Sequence, residues 1–274
     1  MTGRKGARLA PMARPAPLTE VQPLPASGSG PLYRQVKREL QRQIESGRYT
    51  PGDTLPSEST IAAALGVSIG TLRRAVDELV LENVLVRRQG RGTFVALHGT
   101  DSFMFQFFHV EPRGDPSQEG TPHQRELPGV ELIGFARARA DETEADVLRL
   151  RPGDAVLRAA HRLSLRGRPV VHDRIVVAAA LFRGLNEKRW RERPSTVYRL
   201  YQSDFGISVL RARERVRAVG ATAETARILG VGLGVPILEV HRVALTFGDR
   251  PIEYRVSSIH TAAHDYVSTL SKYV

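Results

Sequence analysis

The segment from Gly52 to Val95 constrains the fold more than any other part of this 274-residue chain. It contains two amphipathic helical patterns joined by a tight link at Gly66-Val67. Ser57 is placed to cap the first helix and Ser68 the second, since serine side chains accept hydrogen bonds from the free N–H groups of a first turn. The apolar residues of the second pattern share one helix face and are Leu72, Ala75, Val76 and Leu79. This spacing predicts a helix-turn-helix whose second helix presents its exposed N-terminal half to DNA.

A basic hairpin is predicted directly after these helices. The apolar runs 84–86 and 93–95 are separated by Arg87-Arg88-Gln89-Gly90-Arg91-Gly92, whose glycines permit the positive φ that a tight tip requires. Arginines at such a tip can approach phosphates or enter a narrow minor groove. The segment therefore predicts a winged helix-turn-helix that binds double-stranded DNA. The predicted DNA-contacting residues are Ser57, Ser68, Gly70, Thr71, Arg73, Arg74, Gln89, Gly90, Arg91 and Gly92.

The motifs LPSES, LGVS, TLRRAVDEL and RRQGRGTFV, in this order, resemble the DNA-binding domain of the GntR family of bacterial transcriptional regulators. The chain departs from the family at Ser59 and Ile69, where many members have arginine, so those two DNA contacts are not carried over. Gly70 is unusual near the start of a helix, where it costs about 1 kcal/mol relative to alanine. It either allows a close approach of the backbone to DNA or is a tolerated defect.

Composition agrees with a nucleic-acid partner and excludes several other classes. The net charge of +11 and the isoelectric point near 10.6 favour an anionic partner, although the basic excess is spread along the whole chain. The lack of cysteine excludes disulfide frameworks, cysteine-ligated zinc and thiol nucleophiles, and it fits a reducing cytoplasm. No apolar run approaches the roughly 18 residues that span a bilayer. We therefore expect a cytoplasmic protein without a membrane partner.

Composition shifts suggest four parts. Residues 1–30 are rich in Pro, Ala, Gly and basic residues and are predicted to be a disordered tail. This tail is either a solvated linker or a segment that binds DNA nonspecifically. Their proline content argues against an organelle transit peptide. Residues 31–97 form the predicted winged domain, which opens with a helix carrying Leu32, Val36, Leu40 and Ile44. Residues 98–128 are a predicted linker and first strand, in which Phe103, Phe105 and Phe107 either pack in a core or bind a ligand. Residues 129–274 form the last part.

This last part contains an internal repeat. Each half has a short helix (145–148 and 226–229), a Gly/Pro turn and a β-hairpin, and the alignment of the halves places His161 and His241 at equivalent positions. Further strands are predicted at 130–137 and 207–218, with a helix at 195–204. The pattern predicts an α+β fold with a mainly antiparallel sheet.

The order of motifs in this part resembles the UTRA domain, the ligand-sensing half of the HutC branch of GntR regulators, which shares its fold with chorismate lyase. The motifs are RPVVHDR (168–174), ALFRGL (180–185), STVY (195–198), PIEY (251–254) and HDY (264–266). The resemblance implies a homodimer and a small-molecule effector bound on the sheet by basic, hydroxyl and acidic groups. By motif position it implies Asp173, Ser195, Glu253, Arg255 and Tyr266. His161 and Leu163 stand where sugar-phosphate-sensing relatives have paired arginines, which argues against a phosphorylated sugar.

Reasoning from the residues extends this set. Asp173 lies between Val171 and Ile175 on an apolar strand face, where a carboxylate costs several kcal/mol unless it has a partner. The partner is Arg158, Arg255 or a ligand, and an internal ion pair without any ligand is the alternative. Glu214 falls on the apolar face of strand 207–218, with Leu210, Ala212, Val216 and Ala218. The other face of that strand carries Arg211, Arg213, Arg215 and Arg217, which are either solvated or in contact with DNA. The predicted effector site comprises Arg158, His161, Asp173, Ser195, Glu214, Glu253, Arg255 and Tyr266, and the predicted effector is a small anion, most simply a carboxylate.

Together these features predict a ligand-responsive repressor that binds a pseudo-palindromic operator as a dimer. No metal or cofactor is predicted, because neighbours such as His172-Asp173 and His264-Asp265 point to opposite faces of a strand and each pair offers at most one ligand. The chain has no Ser-His-Asp order, P-loop or dinucleotide fingerprint, so no enzyme is predicted. Two alternatives stay open: a C-terminal domain with lyase-like activity, and a DNA-binding protein without an effector.

Overall fold

The computed structural model describes residues 30–82, 84–96, 110–113, 127–193 and 196–267. The chain divides into two units, with the division between Leu97 and His98. The predicted tail up to residue 29 and the predicted strand through Phe103, Phe105 and Phe107 lie outside the described residues.

The first unit has three helices followed by a hairpin. Its elements are α1 (Leu32–Glu45), α2 (Glu58–Leu65), α3 (Ile69–Leu81), β1 (Leu85–Arg88) and β2 (Gly92–Val95). Both predicted caps are present, since Ser57 Oγ accepts from Thr60 N at 3.2 Å and Ser68 Oγ accepts from Thr71 N at 3.1 Å. Gly66 ends α2 in the left-handed region with φ 67°, a conformation that glycine adopts without strain.

The core of this unit lies between α1 and α3. The predicted apolar stripe of α3, Leu72, Ala75, Val76 and Leu79, is buried. On α1, Val36, Leu40 and Ile44 are buried but Leu32 is 44% exposed, because the helix begins at that residue and its first turn extends past the core. Each buried leucine contributes roughly 1.5–3 kcal/mol. The wing is an antiparallel pair in the register Leu85↔Val95 to Arg88↔Gly92.

The second unit is built on a six-stranded antiparallel sheet, in the order β4-β5-β6-β9-β8-β7. The strands are β4 (Gly129–Arg139), β5 (Ala155–Leu165), β6 (Arg168–Ala178), β7 (Arg211–Gly220), β8 (Pro236–Leu245) and β9 (Pro251–Ile259). A second, two-stranded pair joins β3 (Val110–Pro112) to β10 (His264–Tyr266). The helices are α4 (Glu142–Leu148), α5 (Glu187–Arg191), α6 (Val197–Phe205) and α7 (Ala223–Leu229), with a 3-10 turn at Phe247–Asp249. The predicted α+β class is confirmed.

Helices cover both faces of the six-stranded sheet. Trp190 of α5 and Tyr198 and Tyr201 of α6 are buried with Ile175 of β6, so we call this side the tryptophan face. Helix α4 packs on the opposite face, where it buries apolar side chains together with Val176 of β6. Because successive residues of a strand point to opposite faces, each strand residue belongs to one side or the other.

The predicted internal repeat is visible in the backbone. Ala140 N donates to Asp154 O at 2.8 Å, and Ala221 N donates to Val235 O at the same distance in the second half. The repeats are therefore α4-β5-β6 and α7-β8-β9. Their helices are crossed, since α4 packs against β9 and α7 packs against β6.

Candidate DNA-binding surface and effector site

Glu58, the first residue of α2, connects α3, which we call the reading helix, to the wing. Arg73 Nε of α3 donates to Glu58 Oε2 at 2.7 Å, and Arg87 Nη2 of β1 donates to Glu58 Oε1 at 3.1 Å. Arg87 also pairs with Asp77 of α3. The hydrogen bond from Arg73 lowers the pKa of Glu58, so this carboxylate stays ionised. The guanidinium of Arg73 is thus positioned by an ion pair while 65% of its side chain remains exposed.

The other predicted DNA contacts divide into engaged and open groups. Ser57 and Ser68 are engaged as caps, and Arg74 lies over the Tyr33 ring at 4.0 Å from its centroid, which turns it towards α1. Gly70 is exposed, and a Cβ added there would find Ser68 Oγ at 4.0 Å as its nearest neighbour. The open group at the wing tip is Gln89, Gly90, Arg91 and Gly92, with φ 69° at Gly90 and 108° at Gly92.

The centre of the effector-site prediction is a buried ion cluster around Arg255. Its Nη1 donates to Asp173 Oδ2 at 3.1 Å, while Nε and Nη2 donate to Glu253 Oε1 and Oε2 at 3.0 and 3.2 Å. Ser257 Oγ donates to Asp173 Oδ1 at 2.5 Å. The three charged side chains are 6% exposed or less. Of the partners considered for Asp173, Arg255 is therefore the one that the structure supplies.

Two tyrosines that the sequence analysis did not include complete this cluster. Tyr198 OH and Tyr201 OH donate to Glu253 Oε1 and Oε2 at 3.1 and 2.7 Å. Burial raises the pKa of both phenols, so they remain neutral donors. Their spacing of three residues puts them on one face of α6, which is the signal that could have identified them.

A second ion pair lies on the same face. Arg242 of β8, directly opposite Arg255 in the β8–β9 register, donates through Nε to Glu214 Oε1 of β7 at 2.5 Å. Tyr266 OH is hydrogen-bonded to Glu214 as well. Arg242 was not predicted, whereas Tyr266 and Glu214 both belong to the predicted effector-site set and contact each other.

His161 lies on the tryptophan face but carries no charge. Its Nε2 accepts a hydrogen bond from Trp190 Nε1 at 2.7 Å, and only 2% of the residue is exposed. Burial lowers the pKa of His161 to about 2, with smaller contributions from Arg193 and Arg255. The imidazole is therefore a neutral acceptor and supplies no positive charge for an anion.

Three expectations about the site need correction or fall outside the described residues. Arg158 lies on the face opposite Asp173 and Arg255, where its Nε and Nη2 donate to Glu144 at 2.8 Å. The expected equivalence of His161 and His241 is wrong, because His241 lies on that opposite face, hydrogen-bonded to Tyr254 and Glu239, both at 2.6 Å. Ser195 lies outside the described residues.

The repeat alignment fails by one residue. His241 lies 20 residues after Ala221, as Ala160 lies 20 residues after Ala140, so Ala160 is the true counterpart of His241. A slip of one residue moves a side chain to the other face of a sheet.

The arginine series on β7 is solvent-exposed, which agrees with both alternatives, a solvated face and a contact with DNA. Arg211, Arg213, Arg215 and Arg217 are all exposed. Val216, which we expected on a buried apolar face, is 49% exposed because β7 is an edge strand.

The opposite face also holds a cavity of about 590 Å³ between α4 and α7. Its polar lining includes Arg158, Arg174, Glu224 and His241. Within the described ranges, no helix is long and apolar enough to cross a membrane.

Comparison with known proteins identifies both units. The family described as bacterial regulatory proteins, gntR family, matches residues 32–95, and the UTRA domain matches residues 123–265. The chain is 32% identical to the histidine utilization repressor of Klebsiella aerogenes, over 80% of this chain and 86% of that protein. It is 29% identical to MngR of Escherichia coli K12, the mannosyl-D-glycerate transport/metabolism system repressor, over 89% of this chain and 96% of that protein.

A solved structure extends the match to the fold of the second unit. The ligand-binding domain of a GntR-family transcriptional regulator from Bordetella bronchiseptica superposes with a TM-score of 0.54 at 32% identity, covering 60% of this chain and 96% of that one.

Proposed function

The chain belongs to the GntR family of bacterial regulatory proteins and carries a UTRA domain, and from this premise we propose that it is a repressor that releases its operator when a small anion binds. We assign DNA binding to residues 31–97 and effector binding with dimerisation to residues 129–274. The observation that carries the proposal is the presence, in one chain, of an exposed reading helix and wing and of a UTRA sheet with a buried charged layer.

The DNA-binding part of the proposal rests on the first unit. Arg73 is exposed and held by Glu58, and Arg91 is exposed at the glycine tip of the wing. A helix in the major groove reads bases, while a basic tip contacts phosphates or the minor groove. One such module reads few base pairs, so a pseudo-palindrome bound by two copies is the expected operator.

The edges of the six-stranded sheet support pairing of two copies. The edge strands β4 and β7 expose Val130, Ile133 and Val216, with exposed fractions of 46%, 37% and 49%. Unpaired strand edges are templates for association with another chain. We propose that the homodimer forms through the second unit.

The charged layer supports a small polar effector. Asp173, Glu214, Glu253, Arg242 and Arg255 lie on the tryptophan face, and together they provide directional donors and acceptors. The relatives named above are repressors for histidine utilization and for mannosyl-D-glycerate metabolism, and both of those metabolites carry a carboxylate. A tenfold release of operator requires about 1.4 kcal/mol of coupling between the two sites.

The decisive experiment is protection mapping of the DNA upstream of the protein's own gene, followed by release with a panel of carboxylic acids, amino acids and sugar phosphates. The proposal expects a protected inverted repeat, two protomers per site in sedimentation, and release by one class of anion. A monomer both with and without DNA would contradict the dimer. If no small molecule changes the affinity, the protein is a DNA-binding protein without an effector, and turnover of chorismate would indicate the lyase-like alternative.

A further inference from the structure

Arg193 lies between α5 and α6, beside the buried ion cluster. Its Nη1 donates to Trp190 O at 2.6 Å. Its Nε is shielded from solvent and has no hydrogen-bond partner among the described residues. No carboxylate in the described part of the chain forms an ion pair with this guanidinium, so its charge is left without a counter-ion there.

The two other arginines of the charged layer on the tryptophan face form ion pairs with carboxylates. Arg255 is shared by Asp173 and Glu253, and Arg242 is paired with Glu214. Burying a cation is unfavourable unless an anion and hydrogen bonds replace its hydration. Burial and the nearby positive charge of Arg255 lower the pKa of Arg193, which is the direction expected for an uncompensated cation.

We propose that Arg193 binds the carboxylate of the effector. Since Nη1 is used by Trp190 O, the edge formed by Nε and Nη2 remains, and two parallel N–H groups on this edge match the two oxygens of a carboxylate. This inference rests on the proposed function, and it identifies the group that recognises the anion, a role for which His161 is unsuitable because it is neutral.

Charge favours a carboxylate over a phosphate at Arg193. The named side chains of the layer are neutral in sum, since Asp173, Glu214 and Glu253 balance Arg193, Arg242 and Arg255, and His161 adds no positive charge. A bound anion therefore adds negative charge near Glu253 and Asp173. A carboxylate adds one such charge and a phosphate dianion adds two, so acetate is expected to bind in preference to phosphate.

The test uses the full-length protein with acetate as the probe. Thermal unfolding and calorimetric titration compare sodium acetate, sodium chloride and sodium phosphate at equal ionic strength. Acetate is expected to raise the unfolding midpoint of the wild type, and the heat of binding in the titration is expected to saturate with acetate concentration. Arg193→Gln keeps a donor for Trp190 O but loses the positive charge and the two parallel N–H groups, so its acetate affinity is expected to fall at least about ten-fold. Arg193→Lys keeps the charge alone, and its acetate affinity is expected to lie between those of the wild type and Arg193→Gln.

Arg191→Gln is the matched control, because Arg191 is exposed and pairs only with Glu187 in the described residues. It should bind acetate like the wild type. Without acetate, Arg193→Gln should unfold at the same midpoint as the wild type or at a higher one, since it removes an unpaired charge. A lower midpoint, or an acetate response that survives in Arg193→Gln and Arg193→Lys, overturns the assignment. So does a wild type that responds equally to acetate and chloride, or that prefers phosphate.

Operator binding separates this inference from the proposed function. One outcome is that Arg193→Gln binds the operator and is released by the same metabolite as the wild type at the same concentration. In that outcome the proposed repressor function is supported, and Arg193 does not bind the carboxylate of the effector. If acetate binding depends on Arg193 but no metabolite releases the operator, the anion site stands and the proposed regulation fails.

Discussion

Trp190 Nε1 donates its hydrogen bond to Nε2 of His161, 2.7 Å away, and this contact fixes the protonation state of the histidine. An indole nitrogen can only donate, so Nε2 must carry no proton and Nδ1 holds the single proton of a neutral ring. Protonating His161 would break this bond and place a third positive charge beside those of Arg193 and Arg255. The contact therefore links the stability of the second unit to pH.

We expect stability to fall as the pH drops below about 6.5. Burial lowers the pKa of both His161 and His172 in the folded protein, whereas in the unfolded chain both titrate near 6.5. Below that value the unfolded state binds protons that the folded state does not bind. Each such histidine therefore lowers the free energy of unfolding by up to about 1.4 kcal/mol per pH unit. Urea unfolding at pH 7.5, 6.0 and 5.0 measures this slope. His161→Gln keeps an acceptor without a titrating group, and an unchanged slope in that variant would refute the explanation.

Arg255→Met is expected to reduce the free energy of unfolding by about 3–5 kcal/mol, because Asp173 and Glu253 would remain buried without their common counter-ion. Chemical denaturation measures the change. Arg191→Met is the control and should cost less than about 1 kcal/mol, since its ion pair with Glu187 is exposed. Similar losses in the two variants would mean that the ion cluster does not stabilise the fold. Substitutions at Arg255 therefore test folding before they test effector binding.

Arg73→Ala and Arg91→Ala are expected to weaken operator binding in different ways. Loss of Arg73 should cost about 1–3 kcal/mol on the cognate site and relax sequence preference, because this side chain lies on the reading helix. Loss of Arg91 should weaken all sequences similarly and reduce the log-log salt slope by about one. Fluorescence anisotropy over a salt series distinguishes them, with the exposed Arg215→Ala on β7 as a control. Wild-type affinity in both variants would show that the DNA-binding face lies elsewhere.

Gly70→Ala is expected to stabilise the protein and to weaken its DNA binding. No positive φ is required at this position, and a Cβ would meet its nearest neighbour at 4.0 Å, so alanine should add up to about 1 kcal/mol of helix stability. If the glycine allows a close backbone approach to DNA, the added methyl group obstructs it. Thermal unfolding and operator titration give the two results. A variant that is more stable and binds normally would establish Gly70 as a tolerated defect.

Local patterns predicted the parts of the fold that depend on neighbours in sequence. Ser57 and Ser68 cap their helices as expected, because a cap needs only the next three residues. Alternation along β6 placed Asp173 on the face of Ile175, as the register with β5 shows. These predictions needed no knowledge of how distant segments meet, whereas Glu253 and Arg255 were implied by the family resemblance.

Contacts between distant segments were the ones that the sequence did not reveal. His161 and Trp190 are 29 residues apart, Tyr201 and Glu253 are 52 apart, and α5 has only five residues, too few to show a periodic pattern. Arg158 was grouped with Asp173 because nothing in the sequence states which residues of β5 and β6 pair. Their register puts Arg158 opposite Val176, on the other side of the sheet.

The crossed packing of the repeats has a consequence for how the protein is made. Helix α4 lies on β9, a strand that is synthesised about a hundred residues later, and β6 receives both its neighbour β9 and its covering helix α7 from the second repeat. Contacts between such distant segments close large loops and form slowly. A nascent chain that has emerged only as far as the first repeat therefore holds an uncovered strand and an undocked helix. The first unit can fold while translation continues, but the six-stranded sheet of the second unit can be completed only after β9 has been synthesised.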